Sequence, residues 1–394
     1  MPITILLHQR CIVSLTDSFK EGREPTPGSD AAAAATADEL AAMSLSGGSE
    51  PAPANVEDDK FCSNCGETDD DLKGCNGCRG IRYCSAKCQK KHWKVHKKEC
   101  KRIAAVLKKG IPGGGKYYLD LSEQVDGEES GLFNEPPKNP DCVICMVRLP
   151  LEAVMSTYWA CCGKTICSAC YFDNKNAIAK INQKKAEKKQ KLLDKKICPF
   201  CRAPSTKTDQ EWVARANKRV QLGDADAIWM IGGVYRDGSG MARDESKALQ
   251  FLEKAADLGS SDARYDLGCA YRNGIPGVEI DVNMANMHFE LAAKSGHALA
   301  RHNIGCNLLR RADVGLAIKH WRISAAAGYT DSVDGLIGRF ETGFICHQDL
   351  APSLRARDKA RLEMKSESRD RYVAHLKRTG QVDKLPRNDS VEYL

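Results

Sequence analysis

The sequence predicts a multi-domain chain in which two small, cysteine-built α+β modules precede an all-α helical-repeat solenoid, all behind a disordered N-terminal tail. Two observations carry this reading. Fifteen of the nineteen cysteines fall between Cys62 and Cys201, most of them in pairs separated by two residues. Beyond residue 210, glycines at Gly223, Gly259, Gly296 and Gly328 set a frame of 36, 37 and 32 residues, with small residues at fixed offsets inside it.

Composition bounds the chemistry. With 394 residues, 59 Lys and Arg against 52 Asp and Glu, and a net charge of +7, the chain is long enough for several domains and only mildly basic. That excess does not argue for nucleic acid. Residues Met1 to Cys11 show no charged leader ahead of an apolar core and a small-residue cleavage site, and no window reaches membrane-spanning length. The expectation is an intracellular protein of the cytoplasm or nucleus without a membrane partner. Clustered cysteines then have two readings, disulfides or metal, and a reducing compartment together with two-residue spacing favours structural zinc.

Residues 1–57 are rich in Ala, Gly, Pro and Ser, with five alanines at Ala31 to Ala35, and lack an apolar stripe to dock. They predict the tail. The first zinc-stabilised module spans 58–107, where Cys62 and Cys65, Cys75 and Cys78, Cys84 and Cys88, and His96 and Cys100 offer eight ligands for two zincs. Helical spacing places Cys88, His96 and Cys100 on a segment crowded with lysines, whose plain reading is a solvated outer face. The series Cys84, Cys88, Gln89, Trp93, His96, Cys100 resembles the MYND zinc finger at all eight metal positions. The resemblance implies interleaved sites: Cys62, Cys65, Cys84 and Cys88 on one zinc, Cys75, Cys78, His96 and Cys100 on the other. It also implies a shallow groove for proline-containing peptides lined by Gln89 and Trp93, although Trp93 also fits a packing role beside the small metal core.

Glycines at 110 and 113–115 and prolines at 136, 137 and 140 mark residues 108–140 as a linker. The second module spans 141–205, with cysteines at Cys142, Cys145, Cys161, Cys162, Cys167, Cys170, Cys198 and Cys201. It resembles a RING domain, whose cross-brace would put Cys142, Cys145, Cys167 and Cys170 on one zinc. At the second site the usual Cys-Gly-His has become Cys162-Gly163-Lys164, and an ammonium cannot ligate. Cys161 is the substitute donor beside Cys162, Cys198 and Cys201. Without it, the module holds one zinc instead of two. The RING resemblance further implies that Ile144 and Pro199 dock a ubiquitin-conjugating enzyme and that Arg202 contacts ubiquitin and its carrier. The insertion at 171–197 carries nine lysines and predicts a protruding basic helix. Few aromatics accompany the lysines, so stacking on nucleic acid is unsupported and a solvated helix is the simpler reading.

From 210 to 378 the small and large positions recur at helical offsets. First helices carry Ala227, Ile231 and Tyr235; Ala263, Leu267 and Tyr271; Ala300, Ile304 and Leu308; and Ser332, Leu336 and Phe340. Second helices carry Ala248, Leu252 and Ala256; Ala285, Phe289 and Ala293; and Ala317, Trp321 and Ala325. With Gly232, Gly268 and the loops Gly238 to Gly240 and Gly274 to Gly277, these units resemble Sel-one-type repeats, relatives of the tetratricopeptide class. A charged helix from about Pro352 to Arg378 is expected to cap the array, and 379–394 to form a flexible tail. The modules together predict a zinc-dependent protein-interaction protein. The favoured function is a RING-type ubiquitin ligase; the alternatives are a non-catalytic scaffold and, with only the lysine-rich helices behind it, a nucleic-acid-associated regulator.

Overall fold

The computed structural model describes residues 60–110, 132–133, 136–151, 155–190, 197–275 and 277–381. The expected tail 1–57, most of the linker 108–140, the end of the basic insertion and residues 382–394 lie outside them.

In the first module β1 (Lys73–Gly74) and β2 (Arg82–Tyr83) pair antiparallel ahead of α1 (Ala86–Lys108). Ser85 starts that helix by accepting a hydrogen bond from the Cys88 amide. His92, His96, Cys100, Ile103 and Val106 then follow at intervals of three or four residues, so they form one buried stripe. The intervening lysines at 87, 90, 91, 94, 97, 98 and 101 are exposed. In the second module β3 (Ser156–Trp159) and β4 (Lys164–Cys167) form a hairpin, and α2 (Ser168–Glu187) follows directly. The hairpin loop holds Cys161 and Cys162.

The array runs as α3 (Asp209–Gln221), α4 (Ala225–Asp237), α5 (Glu245–Asp257), α6 (Ser261–Asn273), α7 (Val282–Lys294), α8 (Ala298–Arg310), α9 (Val314–Ala326), α10 (Thr330–Glu341), α11 (His347–Glu363) and α12 (Glu367–Arg378). Side chains of Asp224, Asp244, Ser260, Asp281 and Asp313 cap five of these helices through backbone amides in the first turn. Most of the small positions are fully buried, as are the large Ile231, Phe289, Trp321 and Leu336 between them. Ala227, Ala263, Ala300 and Ser332 on first helices and Ala285, Ala293, Ala317 and Ala325 on second helices are all fully buried. At Gly268 a methyl group would stand 2.6 Å from the Phe289 ring, so α6 and α7 close to a distance that only glycine permits. The frame glycines Gly223, Gly259, Gly296 and Gly328 all have positive φ, from 73° to 102°, and stop their helices in the left-handed region.

One helix of the array goes beyond that sequence reading. Counting back from Gly223 by the offsets that locate the other second helices lands on Trp212, Ala216 and Val220, and these lie on α3, an unpaired second helix that begins the array. The expected single helix from Pro352 to Arg378 is instead α11 and α12. The chain breaks after Met364, where Ser366 caps the next helix through the Arg369 amide. Pro352 sits inside α11.

Neither module stands apart from the array. Tyr83 and Ile103 of the first module share one core with Trp321, Leu336, Ile337 and Leu350 of α9 to α11. Ala160 of the second module shares another with Trp212, Ile228 and Ile231 of α3 and α4, while Tyr372 of α12 packs on its cysteine core from elsewhere. The basic helix also differs from expectation. Instead of protruding alone, α2 lies along α12, with the Phe172 ring 5.5 Å from Tyr372 and 4.5 Å from His375, and Asp173 paired with Arg371 at 2.6 Å. Its aromatic stem supplies the apolar edge, and Lys175, Lys180 and Lys184 remain exposed. Among the described residues, no helix is long and apolar enough to cross a membrane.

Candidate metal centres and docking surfaces

Four of the Cys-x2-Cys turns, at Cys62, Cys75, Cys142 and Cys198, are built the same way. The residue after the second cysteine is left-handed: Gly66 at φ 82°, Arg79 at 56°, Met146 at 54° and Arg202 at 60°. Its amide donates back to the carbonyl of the first cysteine, at 2.9, 2.9, 2.8 and 3.2 Å respectively. Holding a non-glycine residue there costs on the order of 1 kcal/mol. The turn thereby aims both sulfurs to one side.

Four groups of donors result: Cys62, Cys65, Cys84 and Cys88; Cys75, Cys78, His96 and Cys100; Cys142, Cys145, Cys167 and Cys170; and Cys161, Cys162, Cys198 and Cys201. Within each, the ligand atoms all lie within 4.8 Å of one another. Tetrahedral zinc with bonds of about 2.3 Å spaces its sulfurs about 3.8 Å apart. The observed separations bracket that value: 3.5 Å for Cys65 and Cys84, 3.6 Å for Cys75 and Cys100, 4.0 Å for Cys145 and Cys167, and 3.6 Å for Cys162 and Cys198. The donor sets, three of four thiolates and one of three thiolates with an imidazole, suit zinc, which would lock each module by tying together segments far apart in sequence.

The second group is wholly buried and has the most developed surroundings. His96 Nε2 lies 3.2 Å from Cys78 Sγ, and its Nδ1 faces the Glu99 carboxylate at 3.8 Å, longer than a hydrogen bond. Glu99 is gripped by both terminal nitrogens of Arg357 on α11, Nη2 at 2.9 Å from Oε2. A carboxylate behind a ligating histidine orients the ring and strengthens it as a donor. The sequence reading missed Glu99, although it lies three residues after His96 on the same helix. Arg357, far off in sequence, left no such signal. His347 Nε2 also meets the Cys78 carbonyl at 2.6 Å, so α11 supports this centre twice.

In the fourth group Cys161 Sγ stands 3.4 Å from Cys201 Sγ, while Lys164 points to solvent at the start of β4. Gly163 between them has φ 68°, and any side chain there would strike the Arg219 guanidinium and the Asp224 carboxylate. Tyr158 donates to the same Asp224 at 2.9 Å, and that acid also caps α4. One carboxylate therefore ties the metal loop to the start of the array. Cys161→Ser is expected to lower the zinc content of the folded chain from four to three, the number of donor groups being four. Undiminished zinc by elemental analysis would remove Cys161 from the ligand set.

The remaining sequence-predicted residues fall on two surfaces. Gln89 is half-buried, with its amide 3.9 Å from Cys75 Sγ, and Trp93 is 38% exposed beside the His96 ring. On the second module Ile144 is 41% exposed, Pro199 is half-buried and Arg202 is exposed. Phe200, next to Pro199 and exposed at 38%, adds an apolar residue that the sequence reading omitted. By contrast His302 and His320, buried on α8 and α9, are pushed down to about 3 by burial and hold no metal group, in keeping with packing.

Comparison with known proteins agrees with two of these modules. Residues 62–100 match the family model of the MYND finger, and residues 225–260 and 261–297 each match the Sel1 repeat. SET domain-containing protein 14 of Caenorhabditis elegans is 42% identical over 78 residues, 19% of this chain and 18% of that protein. Histone-lysine N-methyltransferase SMYD3 of Homo sapiens is 52% identical over 77 residues, 18% of each chain. Chitin synthase regulatory factor 4 of Schizosaccharomyces pombe is 28% identical over 120 residues, 30% of this chain and 19% of that one. A solved Sel1 repeat protein from Oxalobacter formigenes is 25% identical and aligns with 32% of this chain and 96% of its own, at a TM-score of 0.30. The chain spans less than a fifth of the length of these curated relatives. The chain thus carries a MYND finger and two Sel1 repeats, and between them a RING-like module whose two groups of four cysteines could each hold a metal ion.

Proposed function

We propose that this chain is a zinc-dependent ubiquitin ligase of the RING type, working in a reducing compartment, with the MYND finger and the repeats bringing protein partners. The supporting observation is a surface left open. Although α3, α4 and α12 all pack on the second module, Ile144 and Phe200 stay exposed at 41% and 38%, as does Arg202, while Pro199 is half-buried. Exposed apolar residues on the first and last cysteine turns, with a cation directly after the final cysteine, are what docking a conjugating enzyme and steadying its ubiquitin would need. Catalysis in such a ligase is positioning: the thioester is held for attack, and no residue of the ligase enters the reaction. On the first module, exposed Trp93 and half-buried Gln89 would line the site for proline-containing peptides. The stretch shared with the histone-lysine N-methyltransferase is 18% of each chain and carries no methyltransferase activity over to this one.

Discharge of ubiquitin from a panel of charged conjugating enzymes tests the reading. The full-length protein is expected to accelerate discharge, and Ile144→Ala and Arg202→Ala are each expected to reduce that acceleration at least about tenfold, as loss of a positioning contact worth about 1.4 kcal/mol would. No acceleration across the panel, from protein carrying its zinc, would leave a non-catalytic zinc-finger scaffold, a role that the close packing of both modules on the array also suits.

A further inference from the structure

The geometry points to a peptide-docking face on α7 to α9 that the chain fills in cis with its own linker. The inference rests on the repeats being a protein-binding module. Leu132 is 7% exposed and lies in the core cluster that contains Tyr265, Phe289 and Tyr329 of the array. Its backbone carbonyl accepts a hydrogen bond of 2.6 Å from Arg301 on α8. Phe133 packs on the His320 ring of α9 at 4.9 Å. Farther along, the Pro137 carbonyl crosses Gly296 so closely that any side chain at 296 would displace it.

Arg301 is the informative residue. It is 2% exposed, and its two terminal nitrogens go to the Leu132 carbonyl and, at 2.9 Å, to the Ala293 carbonyl. Among the described residues no carboxylate pairs with it. A buried guanidinium costs stability unless its donors are met, and here the array meets only part of the demand; a further bond comes from a segment outside the repeats. The face thus offers a leucine site, an aromatic site on His320, a donor for a backbone carbonyl between them, and a glycine floor over which a proline segment passes. A partner segment with leucine followed by an aromatic residue and then prolines carries the matching groups. The tethered linker, present at an effective concentration on the order of millimolar, competes with any such partner.

The probe is a fluorescein-labelled peptide of residues 129–140, titrated into the full chain and into a full chain carrying Leu132→Ala and Phe133→Ala, both checked for zinc content and melting. The variant is expected to bind the peptide at least about tenfold more tightly than wild type. A peptide with the same two alanines should not bind. Equal binding to both proteins, absent binding to the variant, or full binding of the alanine peptide would overturn the proposal. If the variant does not fold, hydrogen exchange on wild type decides. Excess unlabelled peptide should speed exchange of the amides around Leu132 by displacing the segment, and unchanged exchange would make the contact purely structural. Binding of other proteins through the fingers, with this peptide ignored, would sink the docking face and leave the interaction reading standing.

Discussion

Cys100→Ser is expected to unfold more than the first finger. Its sulfur belongs to the fully buried donor group, and removing one ligand forfeits most of a zinc binding energy that for isolated fingers is on the order of 10 kcal/mol. The finger's core is continuous with Trp321, Leu336, Ile337 and Leu350, so its collapse would uncover apolar surface on α9 to α11. Hydrogen exchange should show protection lost across 60–108 and across α10 and α11 together, with one or both finger zincs released. Loss confined to the finger would mean that the shared core adds little coupling. Cys65→Ser, at the exposed edge of the other donor group, should act more locally.

The second large effect is expected at Arg357. This residue is buried and joins Glu99 of α1 to Asp358 of α11, while His92 of α1 approaches Asp358 at 3.8 Å. Arg357→Met keeps the volume and strands a buried carboxylate, Asp358, and a half-buried one, Glu99; breaking a buried pair typically costs about 3–5 kcal/mol. Denaturant unfolding of the zinc-loaded chain would measure it. Adding Glu99→Gln should recover part of the loss, because one stranded charge then disappears, and a double-mutant cycle with no coupling would show that the pair does not hold the finger to α11. The same arginine backs the ligand His96 through Glu99, so zinc should also leave the single variant faster on challenge with a chelator.

How much of this was legible depended on the range of each interaction. The knuckles were readable because two cysteines in one turn declare their chemistry locally. The repeats were readable because small and large residues recur every four positions between glycines whose backbone must be left-handed. Cys161 entered the expected donor set because a lysine stands where a histidine would be expected, and its sulfur lies within 4.8 Å of those of Cys162, Cys198 and Cys201. Phe200 was passed over because an exposed apolar residue has no periodic signature, and α3 because it has no partner helix before it.

The sequence by itself determined the parts: two cysteine-rich modules compatible with zinc and a helical array with its frame, since each rests on side chains a few residues apart or on backbone geometry that one residue type permits. Only the tertiary structure decided how they are joined. Arg357 against Glu99, Arg301 against Leu132 and Asp224 beneath Gly163 are single contacts between distant segments. Such a contact leaves no period or spacing in the sequence, because its energy arises only when folding removes both partners from water together.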